Sequence, residues 1–207
     1  FGTINGTLAA LELTRSAGQG QVLNVVSLAG IVTAPGENLY AATKHASMAF
    51  TIGTALDLKS AGVKGVHVSA LCPDGIWTPM LHERVDDPRA AASWAGTFLQ
   101  PEEVAARAMG ILDRPRPVTI VPRWRGPLLR FFDAFPRVSM KLLPVVMADA
   151  RRKLALWRYD YNNVRPHSSL GNQTPAEARR ALEQFDGSAP DALATPETDH
   201  YQTQGLS

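Results

Sequence analysis

Gln21-Val-Leu-Asn-Val-Val-Ser27-Leu-Ala-Gly-Ile-Val-Thr-Ala-Pro35-Gly-Glu-Asn-Leu-Tyr40-Ala-Ala-Thr-Lys44 is the stretch on which the reading of this 207-residue chain turns. The apolar run 22–26 is the length of a buried strand and ends on Ser27. Pro35, Gly36 and Asn38 mark a turn-rich link. Tyr40 and Lys44 then open a long helical pattern, and residues four apart share a helix face. A serine at the carboxyl end of a buried strand lies where open α/β sheets bind ligands. A phenol, an ammonium and a hydroxyl at one place suit proton exchange with an alcohol or carbonyl oxygen. Free tyrosine is a poor base at neutral pH, a nearby cation favours its phenolate, and a general acid/base works best near the working pH. By itself the Tyr-x-x-x-Lys spacing fits equally a half-buried helix tyrosine beside a solvated lysine.

The surrounding pattern decides between these. Ser27 precedes Tyr40 by thirteen residues, and a second buried strand follows Lys44 at Val66-His-Val-Ser-Ala-Leu71. After it comes Cys72-Pro73-Asp74-Gly75-Ile76-Trp77-Thr78-Pro79-Met80. Asn-Val-x-Ser, Tyr-x-x-x-Lys and a Pro-Gly-x-Val-x-Thr-like loop, in register over some fifty residues, resemble the short-chain dehydrogenases/reductases. The resemblance runs over residues 1–147. Asp74 departs from it by standing where the family has glycine, with Gly75 next to supply a positive φ.

The resemblance implies an α/β fold: part of a doubly wound, Rossmann-like parallel sheet, with three strands of its carboxyl-terminal half and a small helical tail. It implies NAD or NADP as cofactor and hydride transfer between nicotinamide and a carbonyl or secondary alcohol. It makes Tyr40 the proton-exchanging residue, Lys44 its activator and a ligand of the nicotinamide ribose, and Ser27 the group that positions the substrate oxygen. Tyr40, Lys44, Pro73, Gly75, Ile76 and Thr78 become the cofactor-binding set, with the Ile76 backbone meeting the carboxamide. The helices flanking the serine strand are implied to pair with their copies in a homo-oligomer. The family's glycine-rich turn, whose amides hold a pyrophosphate, is not found in this sequence. Its active-site asparagine would fall before Phe1, and Asn5 and Asn24 do not occupy that place. The chain opens on Phe1 inside a helix pattern, which reads as a fragment truncated at the front. That leaves enzyme activity open.

Composition fits a globular chain, with 45% hydrophobic and 19% charged residues and a net charge of +2. Cys72, the single cysteine, reads as a packed core thiol. No basic-then-apolar leader and no run of about 18 apolar residues occurs, so the cytoplasm is the expected location. Residues 3–17 carry Ile4, Leu8, Leu11 and Leu13 at helical spacing, and Gly18-Gln-Gly20 ends that helix. The helix from Asn38 to Ser60 is expected to pack through Leu39, Ala42, Ala46, Phe50, Leu56 and Leu58. His45 reads as a surface residue and His67 as a strand residue pointing away from Val66 and Val68. Residues 80–98, with Leu81, Val85, Trp94 and Phe98, are implied to form a lid over an apolar, aromatic-friendly pocket. Pro101 with Glu102 and Glu103 starts another helix, and Val118-Thr-Ile-Val121 is the third strand. Across 114–141 seven Lys/Arg face one acid, Asp133, among bulky apolar groups. Such a segment can rest on a membrane surface or dock on its own domain.

The character changes near residue 148. Trp157-x-x-x-Tyr161-Asn162-x-x-Arg165-Pro166-His167-Ser168-x-Leu170-Gly171, then Thr174-Pro175, resembles the carboxyl-terminal end of integrase-type insertion-sequence transposases over 148–184. Two short helices are expected, Leu154, Trp157 and Tyr161 sharing a face of the first, with Thr174 and Glu177 as a capping box. Those enzymes join DNA with metal ions held by three carboxylates, none of which this segment supplies, and no residue is assigned to a metal. Five cations and one acid occupy 151–165, but two cations and six acids occupy 166–207. The tail thus has no sustained basic footprint, and DNA is not expected as a partner. Residues 185–207 have little to bury and read as disordered. The alternatives to a working oxidoreductase are a gene-fusion remnant, from a mobile element inserted into a dehydrogenase gene, and a DNA-integration protein through the tail.

Overall fold

The computed structural model describes residues 2–84, 87–96 and 98–186. Three parallel strands form one sheet in the order β1 (Gly20–Val25), β2 (Val66–Pro73), β3 (Val118–Val121). Val22 lies opposite Val68 and Ala70 opposite Val118. β2 runs to Pro73, so Cys72 and Pro73 are strand rather than loop. α1 (Gly2–Ser16) precedes β1; α2 (Asn38–Ser60), α3 (Pro79–His82) and α4 (Pro101–Asp113) come between the strands, with α5 (Arg125–Ala134), α6 (Pro136–Asn163) and α7 (Pro175–Asp186) after β3.

Strand alternation sends side chains to two faces. On one, Val66 and Val68 pack with Leu58, Leu11 and Ala55 of the helices α1 and α2, and Ala70 and Cys72 pack with Val26, Ile31 and Leu129. On the other, Leu71 and Val121 pack with Val104 and Ile111 of α4. The result is the helix–sheet–helix layering expected for a doubly wound fold. His67 is exposed between two buried valines, as its strand position predicts. The described residues include no helix long and apolar enough to cross a membrane.

Two helices bury different faces from those their apolar residues suggest. In α2, Leu39 is 86% exposed, Ala42, Ala46 and Leu56 are exposed too, and Phe50 is only half-buried. The sheet side is instead Ala41, Lys44, Met48, Thr51, Ala55 and Leu58, a three-four spacing that makes one stripe. Leu8 and Leu13 of α1 are likewise exposed, while Thr7 is buried and Leu11 packs inward. The reason is polar. Asn24 on β1 donates to Thr7 Oγ1 at 3.1 Å and Thr51 Oγ1 at 3.0 Å, and Thr7 returns a bond to Asn24 Oδ1 at 3.2 Å. Buried hydroxyls need partners, and this three-way contact turns both helices toward the strand. Asn24→Ala is expected to destabilise by about 2–4 kcal/mol, since two buried hydroxyls each lose a partner. A urea titration reads this, and a loss within about 0.5 kcal/mol would mean that the network is not what sets the helices.

The chain forms two compact units, Phe1–Leu156 and Trp157–Ser207. In the second, Trp157 and Tyr161 stack at 4.8 Å and His167 meets the Tyr161 ring at 4.3 Å. The expected capping box is present: Glu177 N donates to Thr174 Oγ1 at 3.2 Å, and Thr174 N to Glu177 Oε2 at 2.8 Å. Where two short helices were expected from 148 onward, the first is the end of the 28-residue α6, which also buries Met147 and Ala150. The stretch expected to be disordered falls almost wholly outside the described residues.

Candidate active site

The carboxyl ends of β1 and β2 gather most of the residues singled out above. Val26 N donates to Leu71 O at 2.7 Å, carrying the pairing one residue past β1, and Ser27 then caps a short 3-10 turn at 28–30. Its Oγ accepts from Ala29 N at 3.1 Å, which fixes the hydroxyl at the strand end.

Tyr40 lies in the first turn of α2 and Lys44 one turn later. Lys44 belongs to the sheet-facing stripe, so its stem runs inward and Nζ donates to Val25 O at 3.3 Å. Nζ lies 5.6 Å from the centre of the Tyr40 ring. Burial lowers the Lys44 pKa from the ordinary lysine value, and Cys72 opposes this. The Tyr40 ring is 43% exposed, open to a ligand. Gly30 makes the approach possible: a Cβ there would stand 2.8 Å from Lys44 O and 2.6 Å from a Val26 methyl. Phenol, ammonium and serine hydroxyl are thus gathered at one sheet edge, with the phenol and the ammonium in direct ring contact.

The loop after β2 is stitched to Leu99. Leu99 N donates to Gly75 O at 2.8 Å and Trp77 N to Leu99 O at 2.9 Å, while Thr78 Oγ1 donates to Ile76 O at 3.3 Å. Pro73 is buried at the strand end, and Gly75, Ile76 and Thr78 are half-buried. Gly75 does not adopt the positive φ expected of it, because the turn is made differently. Asp74 N donates to Val121 O at 2.9 Å, and the Asp74 carboxylate accepts from Gly75 N and pairs with Arg125. Glycine is needed at 75 for room: a Cβ would lie 2.9 Å from Ser93 O. Burial pushes the Asp74 pKa up, against the pull of Arg125 and the Gly75 amide.

Residues 79–98 cover this edge. Trp94 is buried and meets Phe98 at 4.9 Å, and Trp77 meets Phe98 at 5.2 Å. Val85, one of the expected lid residues, lies outside the described residues. Sequence reasoning missed Glu37. It is buried at the start of α2, pairs with Arg84 and accepts from Ser93 Oγ at 3.1 Å, tying the covering segment to the helix that carries Tyr40. A buried acid three residues ahead of Tyr40, at the positive end of a helix, was the available signal.

Cys72 is inert by environment. Burial raises its thiol pKa from the ordinary 9.0 to about 11, outweighing the Ser27 amide and the Arg130 and Lys44 charges. The folded state therefore keeps a proton that the unfolded chain releases, so stability is whole below pH 9.0 and falls as pH rises toward about 11. The expected loss across that window is about 3 kcal/mol. Urea midpoints measured at successive alkaline pH values should decline in the native chain and hold flatter in Cys72→Ala. A thiol reagent at neutral pH should label Cys72 only after denaturation.

Comparisons with known proteins match two separate parts of the chain. The short chain dehydrogenase model matches residues 1–89, and an integrase core domain model matches residues 130–175. Cyclopentanol dehydrogenase of Comamonas testosteroni is 37% identical over 105 residues, 48% of this chain and 41% of that protein. Levodione reductase of Leifsonia aquatica is 32% identical over 101 residues, 48% of this chain and 37% of that protein. The solved structure described as ElxO with NADP bound aligns with a TM-score of 0.48 and 22% identity, over 57% of this chain and 51% of that one. The chain thus spans less than half the length of these curated relatives.

Proposed function

We propose that the chain, whose residues 1–89 belong to the short chain dehydrogenase family and whose residues 130–175 are integrase-like, carries the catalytic half of a nicotinamide-dependent oxidoreductase acting on small secondary alcohols or carbonyls. The observation that supports this reading is the placement of Lys44 Nζ between Val25 O and the Tyr40 ring at the sheet edge that ends in Ser27. An exposed phenol and a half-buried ammonium a helical turn apart are a donor set suited to the hydroxyls of a ribose. The residues present therefore fit the nicotinamide-ribose end of NAD or NADP, with Lys44 and Tyr40 on the ribose and Pro73 at the end of β2 and the loop of Gly75, Ile76 and Thr78 beside it. When bound, that cofactor supplies or accepts the hydride.

The chain's own groups do the rest. Ser27 directs its hydroxyl at the substrate oxygen. Tyr40 gives that oxygen a proton in reduction or takes one in oxidation. Lys44, held by Val25 O, keeps a positive charge beside the phenol. Trp77, Trp94 and Phe98 supply apolar cover that excludes water. The outward faces of α1 and α2, with Leu8, Leu13, Leu39 and Leu56 exposed, are the surfaces through which we propose a homo-oligomer.

The test is coenzyme binding by the purified chain, followed through NADH and NADPH fluorescence, together with turnover of a panel of ketones and secondary alcohols. Saturable binding with turnover is the expected result. A folded sample that neither binds nor turns over would leave the geometry a remnant of the chemistry. A second reading, DNA integration through the tail, rests on the match at 130–175. The first reading leads because the motif residues it needs, Ser27, Tyr40 and Lys44, stand at one end of the sheet.

A further inference from the structure

α5 is apolar on two opposite sides. Its inward side is Gly126 and Leu129, both buried, with Gly126 close against Ile120 of β3 and Leu129 in the core with Ala70 and Cys72. Its outward side is Trp124, Leu128, Phe131 and Phe135, spaced four, three and four residues apart and thus one stripe. Those four are 62%, 44%, 50% and 52% exposed. The Phe131 and Phe135 rings lie 4.9 Å apart, which makes an aromatic pair at one end of the stripe. α6 prolongs it with Val138, Leu142 and Val145, all exposed at the same spacing, and Ser139 Oγ fixes the corner between the two helices by donating to Phe132 O. An apolar patch of this size on the outside of a folded unit marks an interaction site.

The charges around it select the partner. Arg123, Arg130, Arg137 and Lys141 are exposed over residues 123–141, against one exposed acid in that stretch, Asp133. Long cationic side chains beside aromatic and aliphatic residues are the pattern of a helix lying in a bilayer interface, its apolar stripe below the headgroups and its cations among them. The outward face of α2 differs: Leu39, Ala42 and Ala46 are exposed while Lys44 turns inward. That face suits another uncharged protein surface, whereas the α5–α6 face does not. We infer that the stripe Trp124, Leu128, Phe131 and Phe135, with its rim of Arg123, Arg130, Arg137 and Lys141, docks the chain on an anionic lipid surface. With no helix among the described residues able to span a bilayer, the contact is peripheral and reversible.

The experiment is co-sedimentation of the full chain with vesicles of phosphatidylcholine alone and with about one-third phosphatidylglycerol, at about 0.1 M salt and at several-fold higher salt. It reads no catalysis, so its outcome is separate from that of the oxidoreductase reading. The chain should partition onto the anionic vesicles and be released as salt rises. Phe131→Ser with Phe135→Ser, both on exposed rings, should weaken partitioning about tenfold or more with far-ultraviolet dichroism unchanged. Arg130→Gln with Arg137→Gln should weaken it about tenfold on anionic vesicles. Absence of sedimentation, or equal sedimentation on neutral vesicles in every variant, overturns the inference. Concentration-dependent self-association that Phe131→Ser with Phe135→Ser abolishes, without vesicle binding, also overturns it and assigns the stripe to a second copy.

Discussion

Tyr40→Phe should reduce turnover of any accepted alcohol or carbonyl by about 10²–10⁴-fold, the usual contribution of a positioned general acid or base. The substitution deletes one oxygen from a ring that is 43% exposed, so no buried partner is orphaned and the melting temperature should stay within a degree or two. Lys44 keeps its bond to Val25 O and Ser27 its bond from Ala29 N, because neither runs through the phenol. Coenzyme binding should weaken only modestly, while the rate collapses. This split between rate and affinity separates a proton-exchanging residue from one that merely lines the pocket. If Tyr40→Phe and the native chain turned substrate over alike, the assignment of Tyr40 would fail even with the coenzyme bound.

The strands were readable because each is a short apolar run between turn signals, and the register then follows from parallel crossover connections. β3 at Val118–Val121 and the start of α4 at Pro101 lie where the residues put them. Helix faces were less readable. In α2 the apolar residues count toward Leu39 and Phe50, yet Thr51 is buried because Asn24 satisfies its hydroxyl. A hydropathy pattern cannot see a hydrogen bond between a strand and a helix 27 residues apart. Gly75 failed for a related reason: its need is for space beside Ser93 O, a contact made by a segment eighteen residues on, rather than for a positive φ of its own. The site was legible as residue types at fixed spacing. What anchors it, Gly30 against Lys44 O and Glu37 against Arg84 and Ser93, depends on contacts between elements.

Arg125→Ala should cost about 3–5 kcal/mol of stability, because it leaves the Asp74 carboxylate with little access to water and no counter-charge. The two side chains are 14% and 10% exposed, too little for solvent to replace the partner. Gly96 packs directly against the pair, so nothing larger than hydrogen fits there and water has scant room to enter. The loss should depend on pH. Burial already raises the Asp74 pKa above the ordinary carboxylate range, and removing Arg125 removes the main force opposing that rise. A carboxyl whose folded pKa is raised keeps its full stability below the unfolded pKa and loses it as pH climbs. Arg125→Ala should therefore be closest to the native chain in acid and furthest from it at neutral pH. Asp74→Ala combined with Arg125→Ala should cost less than the two single changes together, since no buried charge remains. Urea titrations of the four chains at acid and neutral pH measure each term. Single changes that add without coupling would mean that the pair is screened by solvent, and that the loop carrying Gly75, Ile76 and Thr78 is held by Leu99 alone.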